Sequence, residues 1–139
     1  MIVLDTNVVS EPLKPKPDAA VLNWLDAQEP QTLYITTINL AELLAGIELM
    51  PAGRKRTALK SALGNHIMPL FEGRILQFDA KAAAVFAQIN ARVQSLGATI
   101  SFADCAIAAI AQVNNFSVAT RNLRDFKTTG VVLFNPWDA

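Results

Sequence analysis

Three carboxylates of this chain stand where a carboxylate is costly to bury. Asp5 directly follows Ile2-Val3-Leu4, Glu42 lies within Asn39-Leu-Ala-Glu-Leu-Leu-Ala45, and Asp104 lies within Phe102-Ala-Asp-Cys-Ala-Ile-Ala-Ala-Ile-Ala111. An ionised carboxylate left without a partner in apolar surroundings costs several kcal/mol, so such acids are paired, protonated or bound to a metal. No Lys or Arg lies within one helical turn of any of the three. A shared cation would neutralise them together. The chain is thus constrained to a fold that draws three acids, far apart in sequence, to one place.

Short apolar segments alternate with amphipathic ones. Ile2–Leu4 reads as a buried strand and Thr6–Glu11 as a short helix limited by Pro12, with a loop at Lys14-Pro15-Lys16-Pro17. Asp18 is placed to cap a helix running to about Gln28. A strand at Thr32–Thr36 precedes a helix over Ile38–Leu49, and Met50-Pro-Ala-Gly53 separates that helix from a more polar one over Arg54–Ile67. A strand at Arg74–Phe78 leads into an alanine-rich helix capped by Asp79 and ended by Gly97. Ser101 opens a helix to about Asn114, and Ser117–Thr120 and Val131–Phe134 close the chain as strands. Strands alternating with helices predict a three-layer α/β/α sandwich around a central, mainly parallel sheet.

Residues 1–139 are 52% hydrophobic and show no composition break, and they are expected to form a single domain. Twelve basic and twelve acidic residues cancel, so the chain as a whole lacks the basic excess of many nucleic-acid binders. Cys105 is the only cysteine, which rules out an intrachain disulfide and suits a reducing cytoplasm. The start Met-Ile-Val-Leu-Asp is no signal peptide, and no apolar run is long enough to cross a bilayer. The expectation is a cytoplasmic protein.

Each acid also has a plain structural explanation. Asp5 could only cap the helix that begins at Thr6; Asp104 could reach back to Ser101 at capping-box spacing; Glu42 could share a solvated stripe with Asn39 and Gly46. Together these readings weaken, because Asp104 is the only charge between Ala98 and Gln112 in a helix apolar nearly all round. Carboxylates converging without histidine or cysteine form a hard oxygen site, suited to Mg²⁺ or Mn²⁺ and not to zinc. In open parallel sheets such a crevice lies beyond the carboxyl ends of the strands, where Asp5, Arg121 and Asn122 fall.

Other chemistries fail on the residues. Neither a G-x-x-x-x-G-K-[ST] nor a G-x-G-x-x-G phosphate cradle is present. An Asp-x-Asp phosphatase would need an acid where Asn7 stands. His66, the only histidine, reads as a surface residue, and Cys105 as an inert core residue. The Arg54-Lys-Arg56 run reads as a solvated helix face; Arg121, Arg124 and Lys127 are better placed to contact nucleic-acid phosphates.

These residues resemble the PIN-domain ribonucleases, specifically the VapC-type toxins of the FitB-like branch. The resemblance rests on Val3-Leu-Asp-Thr-Asn-Val-Val-Ser-Glu11, Ala41-Glu-Leu-Leu-Ala-Gly-Ile47, Met50-Pro-Ala-Gly53, Ser101-Phe-Ala-Asp-Cys-Ala-Ile-Ala-Ala109, Ala119-Thr-Arg-Asn-Leu-Arg-Asp-Phe126 and Asn135-Pro-Trp137, in the family's order. Singly weak, the ordered set is specific. It implies an α/β/α fold, a Mg²⁺ or Mn²⁺ site and cleavage of single-stranded RNA, with Asp5, Glu42 and Asp104 matching the family's three acids. Where many members carry a fourth acid this chain has Asn122, with Asp125 three residues on. Thr6 and Thr120 match small hydroxyl residues near the site. The resemblance also implies a homodimer or higher assembly, and a co-transcribed antitoxin that blocks the crevice and supplies the contact with operator DNA.

The expected chemistry is metal-assisted phosphodiester hydrolysis with Asp5 the most central ligand, Glu42 and Asp104 beside it, and neutral Asn122 orienting a water or phosphate. Asp125 is expected to pair with Arg124 or Lys127 at the rim. Two rivals stand beside this reading: a nuclease acting on DNA, and a catalytically weak regulatory subunit whose acids bind a partner's arginines.

Overall fold

The computed structural model describes residues 1–139. Its five strands are β1 (Ile2–Leu4), β2 (Leu33–Thr36), β3 (Ile75–Leu76), β4 (Ser117–Ala119) and β5 (Leu133–Phe134). They form one sheet in the order β3-β2-β1-β4-β5, and every pairing is parallel. The helices are α1 (Thr6–Ser10), α2 (Ala19–Asp26), α3 (Thr37–Glu48), α4 (Arg54–Ala62), α5 (Met68–Leu70), α6 (Ala80–Ser95), α7 (Phe102–Val113) and α8 (Leu123–Phe126).

Alternation along each strand divides the core between the two faces of the sheet. Val3 and Val118 pack with Ile89, Val93, Ile107 and Phe126 on one face. Their neighbours Leu4 and Ala119 pack with Val8, Val9, Ile35 and Phe71 on the other. Helix α7 is buried at every position from Cys105 to Ala111, as a helix apolar all round must be. Only its two ends approach the surface, and Asp104 lies in the first turn.

The α/β/α expectation holds, with a sheet that is wholly parallel. Some elements differ in extent from the prediction. The Arg74–Phe78 strand contracts to Ile75–Leu76, and the Arg74 side chain bonds the backbone carbonyls of Pro30, Leu33 and Leu70 at the sheet edge. The Val131–Phe134 strand likewise shortens to Leu133–Phe134. The Arg54–Ile67 helix changes pitch at Leu63, where a wider π-type turn runs to Ile67 before Pro69.

The topology fixes where a site can form. From β1 the chain steps outward to β2 and β3, then crosses back to β4 on the far side of β1. Beyond the carboxyl ends of β1 and β4 the following segments diverge, which is the switch-point crevice of an open parallel sheet. The packing reading has a direct check in urea denaturation. Ile107 is 0% exposed and Leu49 is 86% exposed. Ile107→Ala is expected to lose about 2–5 kcal/mol of stability. Leu49→Ala is expected to stay within about 0.5 kcal/mol of the parent.

Candidate active site

Asp5 is the first residue after the central strand and is 4% exposed. Its Oδ1 accepts from the Thr6 N–H at 2.8 Å and so caps α1, and its Oδ2 accepts from the Thr120 hydroxyl at 2.7 Å. Thr120 in turn accepts from the Asn122 N–H at 2.9 Å. The segment leaving β4 is thereby tied to the acid that ends β1. Asp5 therefore caps α1 and also lines the crevice beyond the strand ends.

Glu42 departs from its expected burial: it is exposed, on the outward face of α3. Asn39, expected to share a solvated stripe with it, is 0% exposed. The reason is the start of α3. Asn39 Oδ1 accepts from both the N–H and the hydroxyl of Thr36, at 2.8 and 2.7 Å, while the Thr36 hydroxyl accepts from the Asn39 N–H at 3.1 Å. This closed capping box engages the amide oxygen. The Asn39 nitrogen must then face the other way, and it donates to the Thr6 hydroxyl at 3.0 Å. Thr6 in turn donates its own proton to Glu42 Oε1 at 2.7 Å. A hydroxyl can accept and donate at once, so a chain of donors runs from the helix cap to Glu42.

Asp104 is half-buried, and its N–H donates to the Ser101 hydroxyl at 3.1 Å. Burial, then the charges of Asp5 and Asp125, push its carboxyl up to about 6, against a partial pull downward from Ser101. Burial also raises Asp5, opposed by its bonds from Thr120 and Thr6 and reinforced by Glu42 and Asp125. These carboxylates repel one another through space. No ion pair relieves them, since the ion pairs of the molecule join Lys14 to Glu11 and Arg56 and Lys60 to Glu48.

One open crevice is lined by Asp5, Thr6, Glu42, Asp104 and Asn122, together with Asn7 and Ser10. Thr120 lies beneath it as the partner of Asp5. Asp125 is exposed and outside the lining, and it makes no ion pair with Arg124 or Lys127. The expected pairing is therefore corrected: Asp125 stays free, and its charge is felt by Asp5 and Asp104. Arg121, Arg124 and Lys127 are all exposed. His66 is exposed, and Cys105 is buried with its thiol pushed up by burial, both as read from sequence.

Asn7, Ser10 and Asn39 escaped the sequence reading as site residues. Thr6 and Asn7 stand four and three positions before Ser10, so they share one face of α1, the face that begins at the Asp5 cap. That spacing was the available signal for Asn7 and Ser10. Asn7 Oδ1 is buried with no hydrogen-bond donor, which leaves one more oxygen without a partner in a residue of the crevice lining. The donor set is all oxygen and suits a hard divalent cation. No three acids approach closely enough to enclose an ion by themselves. Mg²⁺ makes no such demand, because it keeps several waters and takes one or two carboxylates directly.

Residues 2–131 match the family described as PIN domain. The chain is 45% identical over 138 residues, 99% of each sequence, to VapC ribonuclease Y4jK of Sinorhizobium fredii. It is 44% identical over 137 residues, 99% of each, to Toxin FitB of Neisseria gonorrhoeae. Among solved structures it is similar to the crystal structure of FitAcB from Neisseria gonorrhoeae, with a TM-score of 0.96 and 44% identity over 100% of both chains. It is also similar to the structure of FitAB bound to an IR36 DNA fragment, with a TM-score of 0.94 and 43% identity over 99% of this chain and 96% of that one.

The raised carboxyl of Asp104 has a consequence for stability. Its folded value of about 6 exceeds the ordinary 3.8. The contribution it makes to folding is therefore full below about pH 4 and is lost as pH rises through about 6. In EDTA, the melting temperature of Asp104→Asn relative to the parent is expected to rise in the variant's favour between about pH 4 and about pH 7. A difference that stays flat with pH would refute the perturbation.

Proposed function

We propose that this chain, which belongs to the PIN-domain family, is a Mg²⁺- or Mn²⁺-dependent endoribonuclease that cleaves single-stranded RNA as the toxin of a toxin–antitoxin pair. The observation that carries the reading is the crevice at the sheet's switch point, which Asp5, Glu42 and Asp104 all line without a compensating cation from the chain. Relatives named as a VapC ribonuclease and as a toxin, each similar along nearly the whole chain, support it.

Asp5 and Asp104 would hold the ion, with Glu42 as a further ligand or as the acceptor for one of its waters. When bound, the cation supplies positive charge to the scissile phosphate and acidity to the attacking water. The residues of the chain then have separable tasks. Thr120 and the Thr6 N–H fix both oxygens of Asp5. Thr6, itself held by Asn39, fixes one oxygen of Glu42 and leaves Oε2 for the crevice. Asn122 is neutral, so its amide can orient a water or a phosphate without adding to the repulsion.

The partners follow the same reading: an RNA substrate, a cognate antitoxin, operator DNA through that antitoxin, and a second copy of the chain in a homodimer or higher assembly. The complex of FitAB with DNA supports the second and third. Beside the crevice, and sharing Thr6, Ser10 and Glu42 with it, a groove between α3 and α4 is lined by Leu43, Ile47, Leu59 and Leu63. An amphipathic helix of the antitoxin would lie there and deliver an Arg or Lys to the acids, since a guanidinium bonds carboxylates without needing a metal.

Cleavage of a single-stranded RNA by antitoxin-free protein, with and without Mg²⁺ or Mn²⁺, tests the reading. Asp5→Asn is expected to lower turnover by at least about a hundredfold. In EDTA this variant should melt at or above the parent temperature, because a neutral isostere escapes the burial and repulsion that raise the native carboxyl. Asn122→Ala should lower turnover more than Asp125→Ala, which removes a group outside the crevice lining. Full activity of Asp5→Asn, or cleavage of DNA in preference to RNA, would defeat the assignment.

The mode of inhibition has its own check. Raising Mg²⁺ is expected to weaken inhibition by the antitoxin, and Glu42→Gln to loosen the complex by about tenfold, the worth of one charge-assisted hydrogen bond. Binding indifferent to both would place the antitoxin's grip away from the acids.

A further inference from the structure

Arg121 stands between two residues anchored at the acids. Before it, the Thr120 hydroxyl donates to Asp5; after it, the Asn122 N–H donates to Thr120, and Asn122 lines the crevice. Despite this acidic neighbourhood, Arg121 has no carboxylate within ion-pairing distance. Its guanidinium lies instead over the indole of Trp137, with Cζ 5.0 Å from the ring centroid. That indole is well held. Trp137 is half-buried in the closing turn Pro136–Asp138, packs against the apolar cluster that contains Leu4 and Val8, and donates its backbone N–H to Asn135 Oδ1 at 3.0 Å.

Stacking occupies a face of a guanidinium and leaves its N–H edge free, and that edge matches the paired oxygens of a phosphate. Without a fixed plane, an exposed Arg would forfeit side-chain entropy on binding; the indole removes part of that cost in advance. Arg124 and Lys127 are exposed in the same region but rest on no aromatic ring. We infer that Arg121 grips a backbone phosphate of the RNA next to the scissile one, and that Trp137 is the positioning residue that presents it. The inference rests on the nuclease reading above and assigns to the C-terminal turn a part in substrate binding.

The test is steady-state cleavage of a single-stranded RNA oligonucleotide by the full chain with Mg²⁺, alongside the melting temperature of every variant. Arg121→Ala is expected to raise KM about tenfold, with kcat changed by less than about twofold. Trp137→Leu, which keeps apolar packing but removes the π face, should raise KM about two- to fivefold, and Trp137→Phe should restore it. The double variant Arg121→Ala/Trp137→Leu should be no worse than Arg121→Ala alone, because the indole acts through the guanidinium. The dependence of log KM on log salt should lose about 0.7 in slope in Arg121→Ala, the share of one single-strand phosphate contact. Additive losses in the double variant, an unchanged KM in Trp137→Leu, or a loss that follows melting temperature alone would overturn the inference. A wild-type chain that cleaves no RNA would instead overturn the nuclease reading on which it rests.

Discussion

The hydrogen bond between the Thr120 hydroxyl and Asp5 joins residues 115 positions apart and ties the two central strands at the end where the site forms. Asp5 is nearly buried, and burial and like charge both oppose its ionisation. Two bonds to its oxygens, one from a hydroxyl and one from a backbone amide, work the other way. The sheet order makes this arrangement possible. Only with β1 flanked by β4 do an acid after the first strand and a threonine after the fourth come within bonding distance. The placement of Asp5, Thr120 and Asn122 at the crevice depends on that one contact.

Much of this was legible in the sequence, for a physical reason. Ile2-Val3-Leu4 could be read as a central strand because a strand covered on both faces is apolar throughout, and α7 as an interior helix because seven consecutive positions are apolar. Asp5 and Asp104 stood out against those segments. Glu42 stood out by the same contrast but for a different cause. The leucines and alanines around it include an exposed face, with Leu44 at 45% and Leu49 at 86% exposure, so the apolar context reflected surface rather than core. Asn39 misled in the opposite direction. A polar residue near another on a helix reads as part of a solvated stripe, yet its amide is consumed by a capping box and by Thr6. Side-chain pairings of this kind depend on long-range placement and leave no periodic trace. The free state of Asp125, by contrast, was legible, since charges one and two positions apart, as Arg124 and Lys127 are from Asp125, do not face each other on a helix.

The closing segment acquires a clearer meaning in the fold. Asn135-Pro-Trp137 lies after the last strand, where chain ends are commonly loose. Here Asn135 caps a tight turn and Trp137 packs against the core face that carries Leu4 and Val8. The indole thus meets the same apolar layer as β1 and α1, the two elements that position Asp5 and Thr6.

The donor chain from Thr36 through Asn39 and Thr6 to Glu42 links local melting to the geometry of the crevice. The bonds that close the first turn of α3 are also those that set which way the Asn39 amide points. If that turn frays, the Thr6 hydroxyl is released to rotate, and Glu42 Oε1 loses its donor in the same event. Amide exchange at the start of α3 and the orientation of the Glu42 carboxylate should therefore fluctuate together, although Asn39 itself is not part of the crevice lining.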